Sequence, residues 1–333
     1  MSPLAAPARV RAALAAAVPK WLGPSARLVE LSPPRPYAWS FQFDLTVESA
    51  SGRRELVVKI PRWEEASTLE AALAAGPQEG TRREYSALEA LAAAVAASAD
   101  PGLAAVPPVA YVADVNAVVT ERLAARPLRA HLGRFPGAEV RRTELLGRAG
   151  RLLRLYHDRV AGPFPGTLDG RSLGDRLEEA ASGSRACGGL LRQLALEARE
   201  RHGAPAVVGA THGDCNLANL LVTADGRAAL LDPNLVPGPL LADVAKFLVD
   251  LRMRRARAVF LGRCGGRGVA AAEAAFLEGY GPADGDLLGF LRGVATAERG
   301  LEMEGRLSGL PGGLREAGPT LLRRYVAAER ARL

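Results

Sequence analysis

Asp214, Asn219 and Asp232 present oxygen donors at spacings that suit metal-assisted chemistry on a phosphate. They lie in Thr211-His212-Gly213-Asp214-Cys215-Asn216-Leu217-Ala218-Asn219 and in Leu230-Leu231-Asp232-Pro233-Asn234. Between the two stretches run Leu220-Leu221-Val222, a turn at Ala224-Asp225-Gly226, and Ala228-Ala229-Leu230-Leu231. Apolar runs around an Asp-Gly turn predict a β-hairpin. A hairpin brings its ends together, so Asn219 at the entry and Asp232 at the exit become neighbours. A hard cation such as Mg²⁺ takes oxygen ligands, and substrate phosphates and water complete its shell. A second aspartate, Asp214, stands just upstream. The arrangement suits phosphoryl transfer.

The pattern His-Gly-Asp-x-x-x-x-Asn, followed by an Asp after a short hairpin, resembles the aminoglycoside phosphotransferase and choline kinase group, relatives of protein kinases. Their catalytic loop carries Asp and Asn at the same spacing, with a metal-binding Asp beyond. The resemblance implies that Asp214 is the catalytic base for a substrate hydroxyl. It implies Asn219 and Asp232 as Mg²⁺ ligands, and His212 as a brace of the catalytic loop. Asp243, in Asp243-Val244-Ala245-Lys246, resembles the Asp at the start of the helix after the metal Asp. Its implied role is to cap that helix or brace the loop. Phe276-Leu277-Glu278-Gly279-Tyr280 resembles a carboxy-terminal signature of the group and reads as core packing.

Lys59 sits at the end of Leu56-Val57-Val58-Lys59-Ile60, a buried-strand sequence. A charge in such a run needs a partner. In the kinase pattern a strand Lys contacts nucleotide phosphates and pairs with a Glu on the next helix. Glu84 shares a helix face with Leu88 and Leu91 and is the chosen partner; Glu79 and Glu89 compete. Val118 to Leu123 resembles the hinge of the group, where backbone groups of residues such as Glu121 and Leu123 bind adenine. One departure stands out. The loop Ser32-Pro33-Pro34-Arg35-Pro36-Tyr37-Ala38-Trp39-Ser40 contains no glycine, whereas a Gly-rich loop lets backbone N–H groups approach phosphates. Ser40 and Arg35 are alternative replacements.

The elements that must position these residues follow from periodicity. Ala6 to Leu22 predicts an amphipathic helix with Val10, Leu14, Val18 and Trp21 on one face. Arg27 to Leu31, Ser40 to Glu48 and Glu55 to Ile60 predict strands, the last two joined at Ser51-Gly52. A helix over Glu79 to Ala97 follows, then strands over Val109 to Ala113 and Ala117 to Arg122 around a turn at Asp114 to Asn116. Beyond Leu123 the chain predicts helices at Leu145 to Val160, Leu173 to Ala181 and Gly189 to Arg201. From Leu240 it is helical again, with breaks at Gly262 to Gly268, Gly281-Pro282 and Pro311 to Gly313. The expected fold is α+β, bilobal and protein kinase-like. Residues 1–123 form a small β-rich nucleotide-binding lobe with a leading helix. Residues 124–333 form a larger, mainly helical catalytic and substrate-binding lobe.

The chain has 333 residues and a net charge of +7, room for two lobes with substantial cores. Its positive charge is almost all arginine; the only lysines are Lys20, Lys59 and Lys246. Basic and acidic residues are interspersed, and no nucleic-acid module is recognisable. Cys187, Cys215 and Cys264 are odd in number and irregular in spacing, against a disulfide framework or zinc site. No apolar stretch spans a membrane and no signal peptide is evident, so a cytoplasmic location is expected, with peripheral membrane contact left open. Residues 233–333 hold 15 Lys plus Arg against 11 Asp plus Glu, a balance that disfavours polycationic aminoglycosides as acceptors. Arg252, Arg254, Arg255 and Arg257 form a basic cluster, read either as a solvated face or as contact for an anionic acceptor or a membrane surface. The expected activity is transfer of the γ-phosphoryl of ATP, with GTP as alternative, to a hydroxyl of a small molecule: a sugar, amino alcohol, saccharide or antibiotic. Among these, a saccharide or glycolipid of envelope metabolism is one candidate. A rival reading, motivated by the missing glycines, is a pseudokinase that binds nucleotide or a partner without turnover.

Overall fold

The computed structural model describes residues 5–62, 66–76, 78–132, 139–253, 267–308 and 320. The chain divides into two compact units, Met1–Ala125 and Arg126–Leu333.

The first unit is built on an antiparallel sheet. Its strands are β1 (Arg27–Leu31), β2 (Arg35–Pro36), β3 (Ser40–Ser49), β4 (Gly52–Pro61), β5 (Pro108–Val112) and β6 (Ala117–Glu121). They order as β1-β3-β4-β6-β5, with β2 on β3. Alternation puts Phe41, Phe43, Leu45 and Val47 of β3 into one apolar cluster with Leu56, Val58 and Ile60 of β4. Helix α1 (Ala6–Leu22) adds Val10, Leu14 and Val18, all fully buried. Burying such side chains contributes about 1.5–3 kcal/mol each, so the helix and the sheet stabilise one another. Two further helices follow β4: α2 (Leu69–Ala74) and α3 (Glu79–Ala97).

Two local features differ from the expectation. The Pro-rich stretch after β1 is not plain loop: Arg35 and Pro36 pair with Gln42 and Phe41, and Tyr37 N–H donates to Ser40 O at 2.8 Å. The proline-fixed φ angles suit this narrow hairpin. Helix α2 was not expected, because six residues carry too little periodicity. Its signal is Thr68, whose hydroxyl accepts the Ala71 N–H at 3.2 Å as an N-cap.

The second unit is mainly helical. After strand β7 (Ala125–Pro127) come α4 (Leu128–His131), α5 (Glu139–Arg159), β8 (Phe164–Thr167), α6 (Gly170–Gly183) and α7 (Gly188–Glu200). Strands β9 (Pro205–Thr211), β10 (Leu220–Thr223), β11 (Ala228–Leu230) and β12 (Val236–Pro239) follow. Helices α8 (Leu241–Met253), α9 (Arg267–Tyr280) and α10 (Gly285–Ser308) complete the described chain. The hairpin β10–β11 pairs Leu220 with Leu230 and Val222 with Ala228. A second antiparallel sheet orders as β12-β9-β8. Helices α5 and α9 meet backbone to backbone: a Cβ on Gly150 would lie 2.1 Å from Phe276 O, and one on Gly279 2.1 Å from Gly147 O. Only glycine allows this approach. Phe276 and Tyr280 are buried, and the Phe276 ring stacks on Phe247 of α8 at 4.0 Å.

Of the basic cluster, Arg252 turns inward. Its guanidinium binds Glu273 of α9 at 2.5 and 2.7 Å, and Arg292 of α10 joins the same carboxylate at 3.2 Å. Arg254, Arg255 and Arg257, Cys264, and the expected breaks at 262–266 and 311–313, lie outside the described residues.

Candidate active site

Strand β9 delivers the chain to Thr211, and the next residues must turn sharply. Gly213 makes that turn with φ +78, and a Cβ there would lie 2.8 Å from Val236 Cγ2. The turn exposes the backbone N–H groups of His212 and Gly213, and Asp243 at the start of α8 satisfies both. Its Oδ2 accepts His212 N–H at 2.6 Å and its Oδ1 accepts Gly213 N–H at 2.9 Å. The Asp243 side chain therefore braces the loop. His157 of α5 completes the support: Nε2 meets Asp243 Oδ2 at 3.0 Å and Nδ1 meets Tyr280 OH at 2.9 Å. Burial disfavours the Asp243 charge, but the His157 hydrogen bond and the neighbouring His212 outweigh it and hold the carboxyl below its ordinary range. Burial pushes the Tyr280 hydroxyl up to about 12, which keeps it a donor. His157 then accepts at Nδ1 and donates from Nε2.

His212 is fully buried, and its pKa is pushed down by that burial. Its neutral ring bonds Leu231 O through Nε2 at 2.7 Å, while Nδ1 accepts Asp214 N–H at 3.3 Å. The ring thus ties the residue before Asp232 to Asp214. Leu231 N–H donates to Asn219 O at 2.9 Å, so Asn219 and Asp232 stand at one end of the hairpin. Asp232 adopts φ +56, a conformation uncommon outside glycine and best tolerated by Asp and Asn.

Asp214 is exposed, and amides hold both of its oxygens. Asn216 Nδ2 donates to Oδ1 at 2.8 Å and Asn219 Nδ2 donates to Oδ2 at 2.8 Å. With its nitrogen engaged there, the remaining side-chain oxygen of Asn219 is of the type a hard cation takes. Among the described residues no three His, Cys, Asp or Glu side chains group to hold a metal. The donor set of Asn219 and Asp232 fits an ion that takes one or two protein oxygens and the rest from phosphate and water.

In the first unit, Lys59 Nζ donates to Glu84 Oε1 at 2.9 Å, and both side chains are largely buried. The competing acids are engaged elsewhere: Glu79 with Arg83 at 3.2 Å and Glu89 with Tyr85 OH at 2.9 Å. Glu121 ends β6 with its carboxylate on Arg54 and its N–H donating to Pro107 O at 2.9 Å. Leu123 O accepts Ala125 N–H at 2.8 Å. Arg35 is paired with Asp44 at 2.6 Å, and Ser40 is buried. Arg35 is therefore held back by a neighbouring carboxylate, and Ser40 by burial.

Four contributors escape the sequence reading. His157 lies inside the apolar stripe of α5, where its only signal is a histidine at a core position in a chain with four. Asn216 sits between Asp214 and Asn219 without a distinguishing spacing. Lys246 Nζ donates to Gly213 O at 2.8 Å, and Asp250 Oδ2 accepts Leu217 N–H at 2.9 Å. Both lie on α8 one helical turn apart, with Asp243 a turn before. Lys246 and Asp250 also line a cavity of about 330 Å³ that includes Asp214, Arg129, Glu298, Arg299 and Glu302. A neighbouring cavity of about 700 Å³ extends beneath β8, β9 and β12.

A β-rich unit with a buried Lys–Glu pair, and a helical unit with this loop and hairpin, define the class of kinase-like phosphotransferases. The chain belongs to the phosphotransferase enzyme family, whose profile matches residues 35–294. Its fold is similar to that of the amicoumacin kinase hAmiN, solved with AMP-PNP, Ca²⁺ and Ami (13% identity, 97% of this chain and 95% of that one, TM-score 0.57). It is similar to the macrolide 2′-phosphotransferase MphH from Brachybacterium faecium (15% identity, 96% of each chain, TM-score 0.54). It also resembles a choline/ethanolamine kinase family protein from Mesorhizobium loti (16% identity, 98% and 100%, TM-score 0.54). At these identities the likeness establishes the fold. No curated protein matches the sequence. Among the described residues, no helix is long and apolar enough to cross a membrane.

Proposed function

We propose that the protein transfers the γ-phosphoryl group of ATP to a hydroxyl of a small molecule. The observation that carries this reading is the Asp214 carboxylate, held at both oxygens by Asn216 and Asn219 on a loop anchored by Asp243. Asp214 accepts the proton of the acceptor hydroxyl as its oxygen bonds to phosphorus and the bond to ADP breaks. Asn219 and Asp232 hold Mg²⁺, which neutralises phosphate charge when bound. His212 and Asp243 keep the loop in register. In residues 1–123, Lys59 holds nucleotide phosphates and Glu84 keeps its ammonium in place, with backbone groups near Glu121 and Leu123 taking the base. Residues 124–333 supply the acceptor site. ADP formation from ATP or GTP with Mg²⁺, across a panel of hydroxyl metabolites, tests the reading. Acceptor-dependent turnover that Asp232→Ala lowers sharply, with a raised Mg²⁺ requirement in what remains, is the expected result. Nucleotide binding with no turnover on any acceptor would favour the pseudokinase reading, for which the glycine-free Ser32–Ser40 stretch is the motive.

A further inference from the structure

The two cavities of the second unit share a wall, since Lys246, Ala295 and Glu298 line both. The smaller holds Asp214. The larger has apolar sides from Phe164, Val236, Leu291 and Val294, and its volume of about 700 Å³ is ample for a small molecule.

Most carboxylates on these walls are already engaged. Asp250 accepts Leu217 N–H and binds Arg299 at 3.2 Å, and Arg299 also holds Glu302. Asp243 serves the catalytic loop, and Asp169 caps α6 by accepting Ser172 N–H at 3.1 Å. Glu298 differs: among the described residues no hydrogen bond or ion pair engages it. Its side chain is open to the cavities, yet the protein around it pushes its carboxyl above the ordinary range through burial. Lys246 and Arg176 are close enough to favour its charge, but neither closes onto it as an ion pair. Lys246 donates to Gly213 O, and Arg176 reaches Ser172 Oγ at 3.3 Å.

Glu298 is exposed to the cavities, and two cations line the larger one with it without closing onto it. Here α6, α8 and α10 hold the three groups apart. Of these three groups, an acceptor bearing only an ammonium would meet one attractive and two repulsive charges. A polycation would fare worse, and an anion alone would face Glu298. A molecule with both charges satisfies all three groups.

We propose that Glu298, Lys246 and Arg176 select a zwitterionic acceptor, a hydroxy α-amino acid or a derivative that keeps both charges, on an apolar frame. Glu298 receives the ammonium, and Lys246 with Arg176 receives the carboxylate. The frame lies against Leu291 and Val294 while the hydroxyl enters the smaller cavity at Asp214. The inference rests on the reading of Asp214 as the base for the acceptor.

Calorimetry without nucleotide tests it on serine, ethanolamine, 3-hydroxypropionate and 3-phenylserine. Serine should bind about tenfold or more tighter than ethanolamine or 3-hydroxypropionate, the effect of one charge-assisted hydrogen bond, and 3-phenylserine tighter still. Glu298→Gln should erase the preference for serine over 3-hydroxypropionate. Lys246→Gln should erase the preference over ethanolamine, and Arg176→Gln, which does not touch the catalytic loop, should weaken it. Melting curves confirm that each variant is folded. Failure of serine to bind, equal binding of the charge-deleted compounds, or preferences unchanged in all three variants would overturn the proposal. Failure of the phosphotransfer reading would show separately, as zwitterion binding without ADP formation from ATP and Mg²⁺.

Discussion

Asp214 is poised by amides: with Asn216 on one oxygen and Asn219 on the other, its carboxylate cannot rotate freely. Asp214→Asn keeps the shape and removes the proposed proton acceptor. Turnover should fall by roughly 10²–10⁴ while calorimetry shows nucleotide affinity retained; full activity would remove Asp214 from its role. Gly213→Ala tests the turn itself. The left-handed φ and the contact with Val236 should cost about 1–3 kcal/mol, read as a lower melting temperature together with a lower kcat. The oxygen-bearing residues are legible in the sequence because spacing around a hairpin is a geometric statement. The Lys59–Glu84 contact is legible because a charge in an apolar strand demands a partner and helix periodicity names it. Asn216 and Glu298 are not, because their meaning depends on which neighbouring groups remain unsatisfied, and a sequence does not show satisfaction.

At the scale of elements, α5, α8 and α9 converge on one buried chain of contacts from Tyr280 through His157 and Asp243 to the loop at His212 and Gly213. Asp243→Asn should destabilise the protein by about 1.5–3 kcal/mol, the range for a hydrogen bond to a charged group, measured by urea titration. His157→Phe removes the link to α5, and kcat should drop more than the acceptor KM rises. The same network sets an acid limit. The folded Asp243 carboxyl lies below its ordinary value, so its contribution is complete above about pH 4 and is lost as pH falls through the folded value. Burial also lowers the pKa of His212. The unfolded chain therefore takes up that proton first, from about pH 6.5 downward. Melting temperature should fall monotonically as pH drops below neutrality, and Asp243→Asn should flatten the most acidic part of the curve. A curve flat from pH 7 to 4 would contradict the His212 assignment, and one that stays flat below pH 4 the Asp243 assignment. Long elements such as α1 and α3 are legible from their apolar stripes. Short ones such as β8, β12 and α2 are not, because tertiary pairing rather than local pattern creates them.

For the whole molecule, the division at Ala125 makes the two units separately observable. Trp21 and Trp39 lie in the first unit and Trp63 falls within its residue range, so tryptophan fluorescence reports on it. Leu14 of α1 is fully buried in that unit's core, and Leu14→Ala should cost about 2–5 kcal/mol, seen as a shift of the tryptophan transition in urea. An unshifted transition would mean that α1 is not part of the cooperative core. The scarcity of lysine has a practical consequence. Of three side-chain amines, Lys20 is exposed near the end of α1, Lys59 is on the proposed nucleotide side, and Lys246 edges both cavities. An amine-acylating reagent therefore writes a three-letter footprint readable by mass spectrometry. Lys20 serves as the internal standard, shielding of Lys59 reports the nucleotide, and shielding of Lys246 reports the acceptor. Unknown metabolite mixtures can then be sorted by which letter they erase, before any product is identified.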